Sequence, residues 1–284
     1  MSFKGKKCVV VGGAGFIGSH LVDGLVKRKA RVLVFDNLLS GYKANMNKKA
    51  RFKEANIEDI SQLREAFRGA DYVFNTAAIA RTPWCIKDPI LCYRINVMGT
   101  LNVLEAARLE KVKRVVLSSS NVVYAFDTPY RTSKEAVERL GDTYVKMYNQ
   151  SVICLRYSNV YGKRQSELGE SPNVFAALRK AKKEYGHLRI TGDGTQSRDY
   201  THVSDIVQGN IKAAESDFCG VIDLCTGINT SLNTVAKYFK CPVKYIEERE
   251  GDVKHIYQNP IPAYARLHWK STVKLQEGIC DVLR

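Results

Sequence analysis

The chain has 284 residues, of which 45% are hydrophobic and 26% are charged. These proportions are typical of a globular protein long enough to bury a substantial core, and they exclude a disordered, collagen-like or coiled-coil chain. The net charge of +15 attracts anionic ligands, but the lysines are spread along the chain instead of gathering with aromatic residues in one segment. Nucleic-acid binding is therefore disfavoured as the main role.

The N-terminal segment predicts a soluble protein that stays in the cytoplasm. Its apolar run ends at a glycine after about four residues, too short for a signal peptide or a membrane span, and no other segment approaches membrane length. The eight cysteines are scattered and include no C-x-x-C pair. We therefore expect reduced thiols, no disulfide framework, no metal site and no membrane partner.

Apolar segments rich in Val and Ile alternate with amphipathic segments over the first 160 residues. The pattern predicts strands over 8–13, 31–36, 70–78, 114–120 and 151–157, and helices over 16–29, 61–68, 96–110 and 130–148. Apolar strands separated by helices predict an α/β fold with a doubly wound parallel sheet, covered by helices on both faces. Ligands of such sheets bind beyond the carboxyl ends of the strands, so the chemistry is expected directly after each strand.

The first predicted strand leads into glycines spaced as in a dinucleotide-binding turn, at Gly12, Gly15 and Gly18. They permit a tight turn, let the backbone approach a pyrophosphate and let the helix pack on the strand. The second strand ends at Asp36, where a carboxylate accepts hydrogen bonds from the adenosine ribose and would repel a 2′-phosphate. The sequence therefore predicts a Rossmann-type NAD site, with a glycine turn without ligand as the alternative. Further candidate contacts to NAD are Phe16, Ile17, Asn37, Asn56, Ile57, Ala77 and Ala78.

The predicted helix at 130–148 begins with a tyrosine and a lysine four residues apart, Tyr130 and Lys134, which places both on one helix face. The ordinary tyrosine pKa of about 10 must fall by about 3 for the phenol to act as a base near neutral pH. A neighbouring ammonium and an oxidised nicotinamide both favour the phenolate. Ser120, at the end of the preceding strand, can hydrogen-bond the same substrate hydroxyl. These three residues are the candidate catalytic groups.

Eight motifs follow one another along the chain: GGAGFIGSH, VFNTAA, RINVMGTLNVLEAAR, SSSNVVY, YRTSK, LRYSNVYGKRQ, GDGTQSRDYTHVSDI and REGDV. Together they resemble the extended short-chain dehydrogenase/reductase family, in its NAD-dependent sugar epimerase/dehydratase branch. The resemblance implies that Tyr130 is the base, that Lys134 lowers its pKa and binds the nicotinamide ribose, and that Ser120 orients the sugar oxygen. It also implies a homodimer formed by the helices at 96–110 and 130–148.

The resemblance also distinguishes between reactions. Relatives that dehydrate the sugar carry an Asp-Glu pair after the catalytic Ser or Thr, whereas this chain has Asn121 and Val122 there. Neither side chain can transfer a proton, which leaves 4-epimerisation of a UDP-hexose or UDP-N-acetylhexosamine through a transient keto intermediate. Another nucleotide-sugar conversion stays open, by a reductase, a decarboxylase or a dehydratase with unusual acids. A non-catalytic member that binds RNA or cofactor is the third alternative.

The alternation loosens after about residue 160, with a helix predicted over 173–184 and strands near 188–191, 199–203, 221–225 and 243–247. We expect an NAD-binding domain over 1–160 and a smaller α/β substrate-binding domain over 161–284. The segment at about 199–216 is a candidate to pack back on the first domain. By resemblance the substrate is linked to uracil, and arginines suit its diphosphate, although surface ion pairs are the alternative. The candidate substrate contacts are Ser120, Asn159, Asn173, Arg198, Arg249 and Asp252.

The chain departs from the family pattern at three places. Relatives carry a much longer loop where this chain has only residues 125–128. Either the loop is trimmed with both flanking elements in place, or the pocket is more open. Asn56 stands where relatives often have an aspartate, which would weaken adenine recognition. His268 and Ser271 replace a glycine and a proline, a change that concerns packing more than chemistry.

Overall fold

A computed structural model describes residues 3–165, 174–248 and 253–283 of the chain. Within these ranges the strands are β1 (Lys7–Val11), β2 (Arg31–Asp36), β3 (Arg51–Glu54), β4 (Tyr72–Asn75), β5 (Arg114–Ser120), β6 (Val152–Tyr157), β7 (Asn159–Tyr161), β8 (Leu188–Thr191), β9 (Ser197–His202), β10 (Gly220–Leu224), β11 (Asn229–Ser231) and β12 (Val243–Ile246). The α-helices are α1 (Phe16–Lys27), α2 (Ile60–Phe67), α3 (Thr82–Lys87), α4 (Pro89–Tyr93), α5 (Gly99–Leu109), α6 (Pro129–Tyr148), α7 (Val174–Tyr185), α8 (Val203–Glu215), α9 (Leu232–Tyr238), α10 (Ile261–Leu267) and α11 (Leu275–Leu283).

Seven parallel strands form the main sheet, in the order β10-β6-β5-β4-β1-β2-β3. The chain runs outward from β1 to β3 and then returns to place β4 on the other side of β1. The order therefore reverses between β1 and β4, and a crevice opens beyond the carboxyl ends of these two strands, where doubly wound sheets bind their ligands. The predicted fold class is confirmed.

Helices cover both faces of this sheet, so its central strands are buried on both sides. On one face, α2, α5 and α6 enclose a core that includes Leu63, Val103 and Val137. On the other face, α1, α8 and α10 enclose a second core that includes Leu21 and Ile211. Burial on both sides explains why the strands read as continuous apolar segments in the sequence.

The C-terminal part of the chain contributes to the main sheet as well as to a smaller unit. Strand β10 pairs in parallel with β6, and α8 packs against the same sheet. A third core forms away from it, where α7, α9 and α11 pack around the small β8–β12 sheet. β9 pairs with β7 and with β11 between the two regions. The division of the chain at residue 160 into two domains stays a prediction. In the described residues no helix is both long enough and apolar enough to span a membrane.

Candidate active site

The crevice beyond β1, β4 and β5 is a cavity of about 470 Å³. The glycine turn between β1 and α1 forms one end, and the end of β5 and the start of α6 form the other. Three side chains from this second end, Ser120, Tyr130 and Lys134, line the same cavity as Gly12 and Gly15. The structure thus brings together the two sets of residues that the sequence singled out, although they lie about a hundred positions apart.

The glycine turn is packed so closely that side chains are excluded at two positions. At Gly12 the backbone φ is +79°, and an added Cβ would lie 2.5 Å from the amide nitrogen of Ala77. An added Cβ at Gly18 would lie 2.2 Å from the carbonyl oxygen of Gly12. Gly15 caps α1 without a side chain, so the first-turn residues Phe16 and Ile17 line the crevice directly. A helix N-terminus open to a crevice in this way fits a pyrophosphate.

Asp36 ends β2 at the side of the crevice where an adenosine would lie. Its buried carboxylate accepts hydrogen bonds from the backbone amides of Ala14 at 2.9 Å and Leu38 at 2.8 Å. Burial raises the pKa of Asp36, and the two backbone N–H groups oppose that rise. The carboxylate fixes the glycine turn relative to β2 and keeps further acceptor capacity for ribose hydroxyls.

The remaining predicted cofactor contacts fall into two groups. A narrow recess around Asp36 is lined by four of them, Asn37, Ile57, Ala77 and Ala78. Asn56 does not line this recess, and its amide donates instead to the carboxylate of Glu58 at 3.1 Å. These residues stay predictions as contacts to NAD, and Asn56 has the least geometric support.

Tyr130 lies in the first turn of α6, positioned by the sequence around it. Thr128 caps the helix by accepting from the Arg131 amide at 3.2 Å, and Pro129 occupies the first helical position. Four residues on, the ammonium of Lys134 donates to the Ser118 carbonyl oxygen at 2.9 Å and lies 6.0 Å from the ring centroid of Tyr130. α6 therefore presents the phenol and the ammonium to the same part of the crevice, beside the end of β5.

The protonation of this group depends on its burial. Desolvation raises the pKa of Tyr130 to about 12, opposed by a hydrogen bond from Ser120 and by the charge of Arg81. Desolvation likewise lowers the pKa of Lys134 to about 8. The protein's own groups thus hold the phenol neutral. The fall in the pKa of Tyr130 that its predicted role requires depends on the positive charge of an oxidised nicotinamide.

Asn121 and the short loop after it pack at the edge of the site. Asn121 is buried, and its amide donates to the side-chain oxygen of Asn159 at 2.8 Å, which places Asn159 in the crevice. Val122 packs against the core beneath α6. Residues 125–128 connect the turn after β5 to α6 directly, and Arg131 binds the carbonyl oxygen of Ala125. Both elements that flank this short loop, β5 and α6, are therefore in place.

The predicted substrate contacts from the C-terminal part are only partly described. Arg198 lies in β9, does not line the crevice, and donates to the carbonyl oxygens of Ser197 and Lys254. Asn173, Arg249 and Asp252 lie outside the described residues. All four stay predictions as ligand contacts.

One residue that the sequence analysis missed stands in the crevice. Arg81, on the connection between β4 and α3, lines it together with Ser120 and Tyr130. Its position after β4 was the available signal, because ligands of this fold bind beyond strand ends.

The fold and this crevice define the class of protein: a dinucleotide-dependent enzyme. The family follows from comparison with known proteins. Residues 8–221 match the NAD dependent epimerase/dehydratase family, and the chain belongs to it.

Individual relatives align with this chain over nearly its whole length. A UDP-glucose 4-epimerase of Neisseria meningitidis serogroup C is 31% identical, with 98% of this chain and 96% of that protein covered. The UDP-N-acetylglucosamine 4-epimerase of Methanobrevibacter ruminantium M1, solved with UDP-N-acetylmuramic acid, is 30% identical over 99% of both chains, with a TM-score of 0.92. The UDP-glucose 4-epimerase of Thermus thermophilus, solved with NAD, is 31% identical over 96% of both chains, with a TM-score of 0.86. The predicted family, NAD as cofactor and nucleotide-sugar epimerisation as the enzyme's reaction are confirmed.

Proposed function

We propose that the protein is an NAD-dependent 4-epimerase of a UDP-linked sugar. The observation that carries the proposal is the meeting of Ser120, Tyr130 and Lys134 with the glycine turn in one crevice. The glycine turn and Asp36 would hold the dinucleotide, with its pyrophosphate at the first turn of α1. The sugar would then lie between the nicotinamide end of the cofactor and the start of α6.

The side chains of the site can carry out the proton transfer that such a reaction needs. NAD, held by the glycine turn and Asp36, would supply the acceptor and the donor of hydride. Tyr130 takes the proton of the C4 hydroxyl as its phenolate and gives it back in the second half-reaction. Lys134 is held beside the phenol by the Ser118 carbonyl oxygen, and its ammonium favours the phenolate. Ser120, hydrogen-bonded to the phenol, orients the same hydroxyl.

The surroundings of Ser120 favour epimerisation over elimination of water. Elimination needs an acid and a base of its own beside the sugar, but Asn121 has an amide in hydrogen bond with Asn159 and Val122 has an aliphatic side chain in the core. Neither of these two side chains can act as that acid or base. Rotation of the keto sugar before hydride return inverts C4.

The decisive experiment follows both the sugar and the cofactor. Purified protein with its bound NAD is incubated with UDP-glucose or UDP-galactose, and with the N-acetylated pair, and the products are separated by chromatography. We expect interconversion within a pair without net consumption of cofactor. A released keto sugar, carbon dioxide or stoichiometric loss of NADH would each contradict the proposal.

We propose that the nucleotide part of the substrate binds toward the C-terminal part of the chain. This is the region over 161–284 that is predicted to form the substrate-binding domain. Asn159 supports this orientation, because Asn121 holds its side chain at the crevice entrance to that region. Two aromatic residues in edge contact with each other, Phe175 and Tyr200, line the same cavity. Uracil as the base stays a proposal from the family resemblance.

We also propose a homodimer in the cytoplasm. The outer faces of α5 and α6 expose apolar side chains, with Leu109 41%, Met147 71% and Tyr148 52% accessible. Such side chains on adjacent helices suit a helix-to-helix contact between two copies. All eight cysteines are free thiols, as expected in a reducing compartment. Light scattering of the wild-type protein and of Met147→Glu tests the dimer, and a monomeric wild-type protein at micromolar concentration contradicts it.

A further inference from the structure

The edge of the main sheet opposite the crevice is strongly cationic. Because the strands are parallel, their amino ends all lie at this edge, where Lys7 of β1 is in register with Arg31 of β2 and Arg51 begins β3. Twelve basic residues and a single acidic one, Asp71, occur in the segments that form this edge: 6–7, 27–31, 48–51, 68–71 and 111–113. We call this surface the basic face.

The one carboxylate of the basic face does not neutralise it. Asp71 is shared between the ammonium of Lys113 at 2.7 Å and that of Lys6 at 3.7 Å. Within the described part of the chain, no ion pair is formed by three exposed arginines of this face: Arg31, Arg51 and Arg68. Burial lowers the pKa of Lys7, and the charges of these arginines lower it further. The basic face therefore holds like charges together, and an anionic partner would relieve their repulsion.

The extent and chemistry of the basic face fit a broad layer of negative charge. Five neighbouring strands, β5-β4-β1-β2-β3, span about 20 Å at the ordinary spacing between strands. The end of α1 on one side of the sheet and the ends of α2 and α5 on the other widen the face. The exposed aromatic side chains of the described residues all lie outside its segments, so it offers no platform for stacked bases. A layer of lipid headgroups fits this face better than a single-stranded nucleic acid does.

We propose that the basic face binds the surface of an anionic lipid bilayer. Clustered lysines and arginines are attracted to anionic headgroups without any segment entering the hydrocarbon core. The expectation of no membrane partner came from the lack of an apolar segment, whereas the gathering of charges at one edge is decided by the fold. The crevice lies beyond the carboxyl ends of the strands, at the opposite edge, so it stays open to substrate when the basic face is bound.

Co-sedimentation with lipid vesicles measures this association. The full-length protein with its NAD is mixed at about 0.1 M salt with vesicles of phosphatidylcholine alone, or with vesicles in which roughly one third of the lipid is phosphatidylglycerol. We expect the partition coefficient to be at least about 30-fold higher for the anionic vesicles. At about 0.5 M salt this preference should largely disappear, because exposed charges are then screened.

Reversal of two charges locates the contact. Arg51→Glu combined with Arg68→Glu should lower the partition coefficient by about 30-fold or more, at about fivefold for each basic side chain lost from the surface. Lys237→Glu combined with Lys244→Glu changes the net charge equally at exposed lysines of α9 and β12, and should lower it less than about 3-fold. Melting temperature and bound NAD report folding.

A second pair of substitutions keeps the test valid where the arginine variant does not fold. Lys48→Glu combined with Lys49→Glu changes two exposed lysines in the loop before β3, and the same loss of at least about 30-fold is expected.

Three results would overturn the proposal. The first is a wild-type protein without preference for the anionic vesicles. The second is an equal loss in the control variant, which would show that net charge alone attracts the protein. The third is a single-stranded RNA that binds more tightly than the vesicles at about 0.5 M salt and loses its affinity in the basic-face variants, which would assign the face to nucleic acid. None of these measurements uses sugar turnover, so the proposed function and this proposal can fail separately.

Discussion

The ammonium group of Lys134 donates a hydrogen bond of 2.9 Å to the carbonyl oxygen of Ser118, two residues before Ser120. This bond ties the first turns of α6 to the end of β5 and fixes the distance between the residues proposed to act on the sugar. It also keeps an ammonium in a buried position, where its pKa falls to about 8. The site therefore maintains a charge at a cost in stability, as functional sites commonly do.

Replacement of Tyr130 by Phe removes the proposed proton acceptor without changing the shape of the crevice. We expect kcat to fall by about 1,000-fold, within the range for loss of a general base, while bound NAD is retained. Turnover of UDP-sugars and the NAD content of denatured protein are the measurements. Activity within tenfold of the wild type would contradict the role of Tyr130.

Replacement of Lys134 by Met should stabilise the cofactor-free protein at pH 7 while abolishing turnover. The unfolded lysine keeps its proton up to its ordinary pKa of about 10.5, whereas the folded one releases it near pH 8. Between these values the unfolded state binds more protons, so the stability of the wild type rises with pH. The variant lacks this rise.

Urea unfolding at pH 7 and pH 10 measures the effect. We expect the variant to be more stable by on the order of 2 kcal/mol at pH 7 and the difference to shrink at pH 10. Lys146→Met, at an exposed lysine of the same helix that pairs with Asp142 at 2.7 Å, serves as the control and should show no such dependence. A Lys134→Met protein less stable than the wild type at both pH values would be inconsistent with a burial cost.

Two glycines with positive φ allow the effect of backbone strain to be measured apart from the effect of steric crowding. Gly12 has φ +79° and an added Cβ would meet the Ala77 backbone at 2.5 Å, whereas Gly69 has φ +67° and open space around it. Gly69→Ala should cost about 1 kcal/mol of unfolding free energy, the strain of a left-handed conformation alone. Gly12→Ala should cost at least about 3 kcal/mol and abolish NAD retention. Similar costs for both variants would show that the close approach to Ala77 is unimportant.

Glu138 connects Ser119, which lines the crevice, to Arg156 by hydrogen bonds. Its buried carboxylate accepts from Ser119 at 2.5 Å and from two nitrogens of Arg156 at 2.8 and 2.7 Å. Glu138→Gln removes the nearer counter-charge of the Arg156 guanidinium, leaving Asp223 at 4.0 Å, and should cost about 2–3 kcal/mol. Glu135→Gln, in a more exposed pair with Arg131, should cost less than about 0.5 kcal/mol. Chemical denaturation of both variants measures the two costs. A loss of less than about 0.5 kcal/mol in Glu138→Gln as well would show that neither ion pair contributes much to stability.

His268 occupies a position that favours glycine. It ends α10 with φ +49°, in the left-handed region, a position for which glycine is the preferred residue. His268→Gly should raise the unfolding free energy by about 0.5–1 kcal/mol, because the strain of the side chain disappears. Asn149→Gly at the equivalent end of α6, with φ +51°, should change it less, since asparagine tolerates this conformation. Thermal unfolding of the three proteins measures the difference.

The sequence by itself determined the sheet, the cofactor turn and the proposed catalytic trio. Alternation of apolar strands with amphipathic helices is a local pattern, and the glycine spacing and the spacing of Tyr130 and Lys134 are local as well, so each can be read without knowing what packs against what. The shortness of the loop before α6 followed instead from the resemblance to the family, and the structure shows that its flanking elements, β5 and α6, are in place.

Tertiary structure alone decided which distant residues share the crevice and which do not. Strand β10 could be recognised as a strand, but its pairing with β6 depends on how the chain returns across the main sheet. Arg81, at the start of α3, lines the cavity with Tyr130, whereas Arg198, in β9, does not. Such placements depend on long-range packing, which no short window of sequence encodes.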